Sequence, residues 1–232
     1  MSGALKFRSG ENPARWRGHL DKLLAKPRKV ARVEHHAALP YTEIGAFMTD
    51  LAKQEGIAAR ALEFTILTAA RTGEALGATW SEIDLDAATW TVPASRMKIQ
   101  REHAVPLSPA AVKIVETMKA HQGSDYVFPG AKPRRPLSNM ALLMTLRRMG
   151  RGDLTAHGFR STFRDWCAEM TNYPREVAEM ALAHAIPNAV EAAYRRGDLF
   201  ERRRGLMREW ALFCSKPTAA GKVIPINQAR AG

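Results

Sequence analysis

Hydrophobic residues recur at helical spacing directly after Pro40. The positions of this repeat, at i, i+3, i+4 and i+7, are Ile44, Phe47, Met48 and Leu51. The repeat predicts an amphipathic helix to about residue 55, with Thr42 as its N-cap. Residues 57–70 are nearly all apolar or small, which predicts a second, buried helix. This helix would carry Arg71 at its C-terminal end, at the edge of the core.

The hydrophobic period changes to strict alternation near residue 89. Trp90 and Val92 alternate with threonines, and a second apolar alternation covers residues 103–107 after a polar run. Alternation of this kind predicts two short antiparallel strands that form a hairpin. Lys98 would lie in the turn of this hairpin.

The rest of the chain is predicted to be helical. Ser108 as N-cap and Pro109 at the first helical position begin a helix that runs to about residue 121. Cap residues and apolar spacing place the other helices at residues 138–149, 157–170, 174–184, 188–194 and 198–214. The predicted fold class is therefore mainly α with a small antiparallel β-sheet, an α+β domain over residues 40–215.

The two ends of the chain differ from this domain. Residues 1–39 hold nine Lys or Arg and three acidic residues with little apolar periodicity, so we interpret them as a basic linker. Residues 216–232 contain one short apolar run and are predicted to be a tail. A cluster of arginines near the C-terminal end has a simple interpretation as a solvated helix face: Arg195, Arg196, Arg202, Arg203 and Arg204. The sequence lacks a signal sequence and the roughly 20 apolar residues that span a bilayer, which predicts a cytoplasmic protein without a membrane partner.

Charge narrows the choice of partner. The 232 residues include 35 Lys+Arg and 23 Asp+Glu, a formal net charge of +12. Each cation placed near a phosphate releases condensed counterions, so this surplus favours nucleic acid as the partner. The alternative is that the charge only keeps the protein in solution. The cysteines, Cys167 and Cys214, form no CxxC pair and are predicted to be buried free thiols.

Sequence motifs that bind nucleotides or metal ions are absent. The sequence has no GxxxxGK[ST], GxGxxG or HExxH motif and no carboxylates spaced for Mg²⁺ or Zn²⁺, which predicts that no cofactor is used. It offers instead a set of cationic and phenolic side chains: Arg71, Lys98, His157, Arg160, His184 and Tyr194. His157 and Arg160, at i and i+3, share one helical face.

Such a set can cleave a phosphodiester without a metal. Arginine stays charged and binds phosphate oxygens bidentately, so Arg71 and Arg160 suit a transition state with charge on the non-bridging oxygens. A tyrosine can attack phosphorus if a histidine takes its proton, and a hairpin lysine can protonate the leaving oxygen.

Each of these residues also has a simpler interpretation when taken alone. Arg71 can form a surface ion pair and Lys98 can touch the DNA backbone. The histidines can be structural, and Tyr194 competes with three other tyrosines, each of which can be a core residue. Those three are Tyr41, Tyr126 and Tyr173.

The order of the motifs resembles that of a known family. ARTGE, the hairpin lysine, HGFR, LAH and a tyrosine ten residues later are similar to the catalytic domain of tyrosine recombinases, the phage integrase family, and of prophage and genomic-island integrases in particular. The similarity covers about residues 41–213. It implies the tyrosine recombinase catalytic-domain fold and a metal-free enzyme that breaks and rejoins DNA through a 3′-phosphotyrosine link. The implied reaction is site-specific integration or excision of a mobile element.

The resemblance implies a role for each motif residue. Arg71 and Arg160 would clamp the scissile phosphate, and Lys98 would protonate the leaving 5′-hydroxyl. His157 would be the base toward the tyrosine or a phosphate ligand. His184 would hydrogen-bond a phosphate oxygen and pack the site, while the tyrosine that ends the motif set would attack.

The resemblance also implies partners, and it leaves alternatives open. Double-stranded DNA at attachment sites, self-assembly to a tetramer on that DNA and an accessory DNA-bending factor are implied, and the enzyme would be associated with the nucleoid. The segment 198–214 or the tail would dock on a neighbouring subunit. Similar integrases have DNA-binding domains ahead of the catalytic one, of which only a remnant of the core-binding domain, such as ENPARWRGHL, precedes it here. The alternatives are a catalytically silent DNA-binding fragment and a type IB topoisomerase-like activity.

Basic residues outside the motif set are expected to line the DNA phosphates. Residues 132–164 hold eight Lys or Arg against Asp153 alone, and we expect binding that weakens steeply with salt. The predicted DNA contacts are Arg96, Arg101, Lys132, Arg134, Arg135, Arg147, Arg148 and Arg164.

Overall fold

The computed structural model describes residues 20, 22, 37–121, 123–132, 134–184 and 199–217. Contacts within the chain separate Met1–His35 from His36–Gly232, and the second unit is described below. The predicted helix at 188–194, the attacking tyrosine and most of the tail lie outside the described residues.

Helices make up most of the described part of the second unit. Their bounds are α1 Ile44–Ala52, α2 Ile57–Thr68, α3 Thr72–Leu76, α4 Pro109–Met118, α5 Asn139–Arg148, α6 Gly158–Met170, α7 Arg175–Ala181 and α8 Phe200–Cys214. Short 3-10 turns precede α1 at Tyr41–Glu43 and follow α4 at Lys119–His121. The mainly helical prediction is confirmed, although most helices are shorter than predicted.

A small antiparallel sheet interrupts the helices. Its strands are β1 Ile83–Asp84, β2 Thr89–Val92 and β3 His103–Pro106, in the order β1-β2-β3. In the hairpin of β2 and β3, Trp90 is paired with Val105 and Val92 with His103. The predicted hairpin is confirmed, but β1 was missed because two residues are too few to show alternation.

The start of α1 corrects one predicted cap. Tyr41–Glu43 is a 3-10 turn, so the N-cap of α1 is Glu43 rather than Thr42, and no side chain caps the helix there. The C-terminal end of α1 is capped instead by the guanidinium of Arg60, which donates to the carbonyls of Leu51, Ala52 and Gln54. Satisfying these carbonyls explains why α1 ends at residue 52 and α2 begins directly after the turn.

Aromatic packing defines the core. Phe64 of α2 packs on Trp90 and Phe128 at ring-centroid distances of 5.3 and 5.4 Å. Trp210 of α8, fully buried, packs on Phe163 and Trp166 of α6 and donates from its indole N–H to the carbonyl of Ile66, 2.9 Å away. Helix α8 therefore packs in the core of its own chain, and the docking of segment 198–214 or the tail on a neighbouring subunit stays a prediction.

The arginines of α8 correct a second interpretation. Arg203 is 1% exposed, and its guanidinium donates to the carbonyl of Ala104 in β3 at 2.6 Å. Arg204, half-buried, donates to the carbonyl of Ala87 at 3.2 Å. Arg202 is exposed. Two of the three arginines therefore join α8 to β3 and to the turn between β1 and β2 by binding main-chain carbonyls, rather than form a solvated face.

The predicted cap of α4 and the predicted thiols are confirmed. Ser108 is the N-cap of α4, and its hydroxyl accepts from the backbone N–H of Ala111. Cys167 and Cys214 are buried free thiols, and burial raises the pKa of Cys167 to about 12. No helix among the described residues is long and apolar enough to cross a membrane.

Candidate active site

Arg71 lies at the N-cap of α3, not at the end of α2 as predicted. Helix α2 stops at Thr68 because Ala69 takes the left-handed conformation, with φ of 50°, and turns the chain. The guanidinium of Arg71 donates to Oε1 of Glu74 at 2.8 Å and to the carbonyl of Ala183 at 3.1 Å. Oε2 of Glu74 accepts from the backbone N–H of Arg71 at 3.0 Å. One buried carboxylate thus holds both the main chain and the side chain of Arg71.

Arg160 lies in the first turn of α6 and is 6% exposed. Its guanidinium donates to the carbonyl of Ala69 and, at 2.6 Å, to that of Leu182. Burial first, and the charge of Arg71 second, lower its pKa to about 10. Arg160 therefore remains cationic at neutral pH, and its position is fixed by main-chain carbonyls.

The two arginines converge on one short stretch of chain. Arg160 binds the carbonyl of Leu182 and Arg71 binds the next carbonyl, that of Ala183. Ala183 has a φ of 49°, a left-handed conformation that ends this helical turn. The structure thus brings together Arg71 and Arg160, which are 89 residues apart in the sequence.

His184 joins the same cluster. Its Nε2 is 3.2 Å from Nη2 of Arg160, and its Nδ1 is 2.5 Å from Oε2 of Glu179. The side chain is 38% exposed, so the ring sits between the buried guanidinium and solvent. Sequence reasoning missed Glu179, although a carboxylate five residues before a motif histidine was a usable signal.

His157 and Lys98 both lie at the surface of the protein. His157 is exposed at the N-cap of α6, and its carbonyl accepts from the backbone N–H of Arg160 at 3.1 Å. Lys98 is exposed between β2 and β3. Arg96, two residues earlier, donates to the carbonyl of Glu74 at 3.2 Å, so the base of the lysine-bearing hairpin is attached to the helix that carries Glu74.

Tyr194 lies outside the described residues, but the three competing tyrosines can be assessed. Tyr41 donates to Glu169 and Tyr173 donates to Glu209, each at 2.8 Å. The hydrogen bond to Glu169 raises the pKa of Tyr41, and burial followed by the bond to Glu209 raises that of Tyr173. A raised pKa makes a phenol a poorer nucleophile, which counts against both residues. Tyr126 is half-buried, and Thr79 pairs with it in an isolated β-bridge.

The predicted DNA contacts fall into two groups. Three arginines already have partners: Arg96 with Glu82 at 2.8 Å, Arg148 with the hydroxyl of Thr145 at 3.1 Å, and Arg164 with Glu179 at 3.0 Å. The others are exposed cations: Arg101, Lys132, Arg134, Arg135 and Arg147. Of these, Arg147 has a long contact to Sδ of Met144 at 3.9 Å. The exposed group includes the basic loop, residues 128–136, whose ends are joined by the hydrogen bond from Leu137 N–H to the Phe128 carbonyl at 3.0 Å.

No group of three or more His, Cys, Asp or Glu side chains among the described residues could hold a metal ion. The described site therefore consists of two guanidinium groups, an imidazole and the two carboxylates that hold them.

Comparison with known proteins agrees with this geometry. Residues 39–199 match the Phage integrase family. The chain is 42% identical over 149 residues to prophage integrase IntA of Escherichia coli K12, covering 63% of this chain and 36% of that protein. It is 37% identical over 186 residues to prophage integrase IntZ of the same organism, covering 79% of this chain and 46% of that protein. The chain thus spans less than half the length of these two relatives.

A solved structure shows the same fold. The lambda integrase in a tetramer bound to a Holliday junction superposes with a TM-score of 0.53 at 18% identity, covering 70% of this chain and 51% of that one. The predicted tyrosine recombinase catalytic-domain fold is therefore confirmed. With the family match spanning more than half of its residues, this chain is a member of the phage integrase family.

Proposed function

We propose that this protein carries out site-specific DNA recombination, the integration or excision of a mobile element, by cleaving and rejoining strands through a 3′-phosphotyrosine link. The observation that carries the proposal is the convergence of Arg71 and Arg160 on the adjacent carbonyls of Ala183 and Leu182. Two fixed cations at one point can neutralise charge that develops on the non-bridging oxygens of a phosphodiester.

Each proton and bond in the reaction has an assigned residue. Oη of Tyr194 bonds to phosphorus as the bond to the 5′-oxygen breaks, the phenolic proton passes to His157, and Lys98 protonates the leaving oxygen. A 5′-hydroxyl of another strand then displaces the tyrosine in the reverse sense. The phosphotyrosine conserves the energy of the broken ester, so the proposed step needs neither ATP nor a cofactor.

His184 would complete the phosphate site beside the arginines. Its Nε2 lies against the Arg160 guanidinium, close to where a phosphate bound by that guanidinium would sit. Glu74 supports the clamp as a positioning residue, since its carboxylate holds Arg71 without facing the phosphate itself.

The remaining cations divide between DNA contact and structure. We propose that Arg101, Lys132, Arg134, Arg135 and Arg147, all exposed, contact DNA phosphates. Arg96 and Arg164 are assigned structural roles first, since each has a carboxylate partner within 3.0 Å. The guanidinium of Arg148 donates one hydrogen bond to Thr145 and has further N–H groups that can bind phosphate.

Partners and domain roles extend this proposal. The substrate would be double-stranded DNA at attachment sites, in the cytoplasm and on the nucleoid, with assembly to a tetramer as in the solved lambda integrase complex and with an accessory DNA-bending factor. Residues 40–215 would be the catalytic domain, residues 1–39 its connection to a preceding core-binding domain, and residues 216–232 a tail available to a neighbouring subunit.

A nicked suicide substrate tests the proposal. The DNA carries the attachment sequence from beside the gene with a nick next to the cleavage point, so that the released fragment diffuses away and covalent protein accumulates. Wild-type protein should form a covalent adduct, Tyr194→Phe should form none with DNA affinity nearly unchanged, and the matched Tyr126→Phe should behave as wild type.

Other outcomes decide between the remaining functions. DNA binding without an adduct would favour the silent DNA-binding fragment, since the chain covers less than half of IntA and IntZ. Relaxation of supercoiled DNA that lacks any attachment site would favour a type IB topoisomerase-like activity.

A further inference from the structure

Glu179 of α7 binds three cationic or imidazole side chains. Its Oε2 lies 2.5 Å from Nδ1 of His184. Its Oε1 lies 3.0 Å from Nη2 of Arg164 and 3.6 Å from Nε of Arg175. The side chain is 23% exposed, which leaves the carboxylate partly shielded from solvent.

The main chain adds a second link between the glutamate and the histidine. The backbone N–H of His184 donates to the carbonyl of Glu179 at 2.9 Å. Two bonds therefore join the residues, one through the backbone and one through the side chains. With both in place, the imidazole has one ring edge directed at Glu179 and the other at Arg160.

The hydrogen-bonding groups on the two sides fix the tautomer of the neutral ring. An arginine N–H can only donate, so Nε2 of His184, at 3.2 Å from Arg160, must accept. A carboxylate can only accept, so Nδ1 must carry the proton. Glu179 is ionised at neutral pH: burial alone would raise its pKa, but the hydrogen bond from His184 and the charges of Arg164, His184 and Arg175 lower it.

We propose that Glu179 is a positioning residue for strand cleavage, which holds the His184 ring with Nδ1 at the carboxylate and Nε2 beside Arg160. A phosphate oxygen can only accept, so Nε2 donates to a bound phosphate only in the doubly protonated ring, which the carboxylate at Nδ1 holds in the same orientation. This inference rests on the proposed function and deepens it. Without the carboxylate, rotation of the ring would exchange the two nitrogens and remove Nε2 from the guanidinium. Arg164 and Arg175 keep Glu179 in place from the outer side, which accounts for Arg164 without a DNA contact.

Ring-nitrogen NMR of His184 in the DNA-free full chain tests this geometry independently of activity. Spectra are recorded at rising pH until the ring signals stop changing. The neutral ring should then show the Nδ1–H pattern in the wild type and a mixture of tautomers in Glu179→Met, which removes the acceptor at similar volume. An Nε2–H pattern in the wild type, or an unchanged pattern in Glu179→Met, would overturn the proposal.

Single-turnover cleavage of the nicked substrate tests the consequence for the chemistry. Glu179→Met should cleave about tenfold to a hundredfold more slowly, as is typical when the partner of a functional histidine is removed, with DNA affinity within about twofold of wild type. Glu116→Met, which removes one exposed carboxylate on α4, is the control and should cleave at the wild-type rate.

A double mutant separates positioning from a general effect on the fold. If Glu179 acts through His184, adding Glu179→Met to His184→Ala should slow cleavage no further than His184→Ala alone. Additive losses would overturn the proposal, as would an equal loss of DNA affinity and cleavage rate. A wild-type protein that forms no adduct at all would refute the proposed function instead, and the NMR pattern would still decide whether Glu179 orients the ring.

Discussion

Glu74 accepts two hydrogen bonds from Arg71, one from its backbone N–H at 3.0 Å and one from its guanidinium at 2.8 Å. Because Glu74 is 6% exposed, its carboxylate is a fixed support for a cation that is itself partly open to solvent. Glu74→Gln should therefore loosen Arg71, since an amide has only one accepting oxygen for the two donors. We expect single-turnover DNA cleavage to fall by about tenfold to a hundredfold with DNA affinity changed by less than about threefold.

Glu63→Gln is the matched control for this change. Glu63 is also 6% exposed and also pairs with an arginine three residues earlier, Arg60, at 3.2 Å. Its ion pair lies on α2 and does not involve Arg71. Equal losses of cleavage in the two variants would mean that removal of any buried carboxylate, rather than the loss of support for Arg71, slows the reaction.

The basic loop, residues 128–136, should contribute to DNA affinity by charge alone. Arg134 and Arg135 are exposed, while the loop backbone is held by hydrogen bonds such as that from Gly130 N–H to the Arg135 carbonyl at 2.8 Å. Replacing both arginines with glutamine should make the slope of log Kobs against log salt less negative by about 0.9 for each phosphate that the protein no longer neutralises. Fluorescence anisotropy titrations at several salt concentrations measure this slope.

Two lysines on other elements provide the control for the basic loop. Lys53, directly after α1, and Lys113, on α4, are exposed, and their double replacement with glutamine removes the same net charge. The slope should stay at the wild-type value. An equal change in both double variants would show that the total charge of the protein, and not the basic loop, sets the affinity.

Gly158, in the HGFR motif, is required by close packing of the backbone. A Cβ at this position would collide with the carbonyl oxygen of Ala37 and lie 3.1 Å from Cα of Ala38. Helix α6 is held against this segment by the hydroxyl of Thr162, which donates to the Leu39 carbonyl at 2.6 Å. We expect Gly158→Ala to lower the free energy of unfolding in urea by about 1–3 kcal/mol, the usual cost of overpacking.

Gly73→Ala is the control for this substitution. No heavy atom lies within 4 Å of a Cβ built on Gly73, and alanine is the better helix former. This variant should be at least as stable as wild type. Full stability of Gly158→Ala would contradict the packing of α6 on residues 37–39.

Glu63 should make stability depend on pH. Burial raises its pKa above the usual 4.5, and the charge of Arg60 only partly opposes this shift. Below pH 4.5 the Glu63 carboxyl is protonated in both the folded and the unfolded state, so it does not change the free energy of unfolding. As pH rises from there through the raised pKa, the folded state has to ionise a buried group, and the free energy of unfolding falls. Urea unfolding should therefore show Glu63→Gln becoming more stable relative to wild type from pH 4 to pH 7. A relative stability that is constant, or that moves the other way, would show that Arg60 compensates fully for burial.

The long elements of this fold could be predicted because their patterns are strong. The apolar repeat of α1, the alternation at Trp90 and Val92, and the cap at Ser108 each have a local physical cause that the sequence displays. Strand β1 has two residues, too few for a period to appear. The end of α2 depends on a left-handed alanine, Ala69, which no composition rule marks because alanine is a strong helix former.

The cationic residues of the candidate site could be predicted from the sequence, but the carboxylates that support them could not. Arg71, Arg160 and His184 stand out as charged or titratable residues within apolar motifs. Glu74 and Glu179 look like ordinary helix-surface charges in sequence, and only tertiary contacts show that each supports a site residue. The burial of Arg203 could not be predicted for the same reason, since the carbonyl that it binds is 99 residues away in the sequence.

Arg160 gives its N–H groups to the carbonyls of Ala69 and Leu182 and so connects three segments of main chain. A relative of this chain that no longer cleaves DNA would still need the Arg160 guanidinium for its folded structure. Arg71 is partly open to solvent and, within the described part of the chain, binds only one main-chain carbonyl, that of Ala183, so its replacement should disturb the main chain less. Among relatives that no longer cleave DNA, Arg71 should therefore be replaced more often than Arg160.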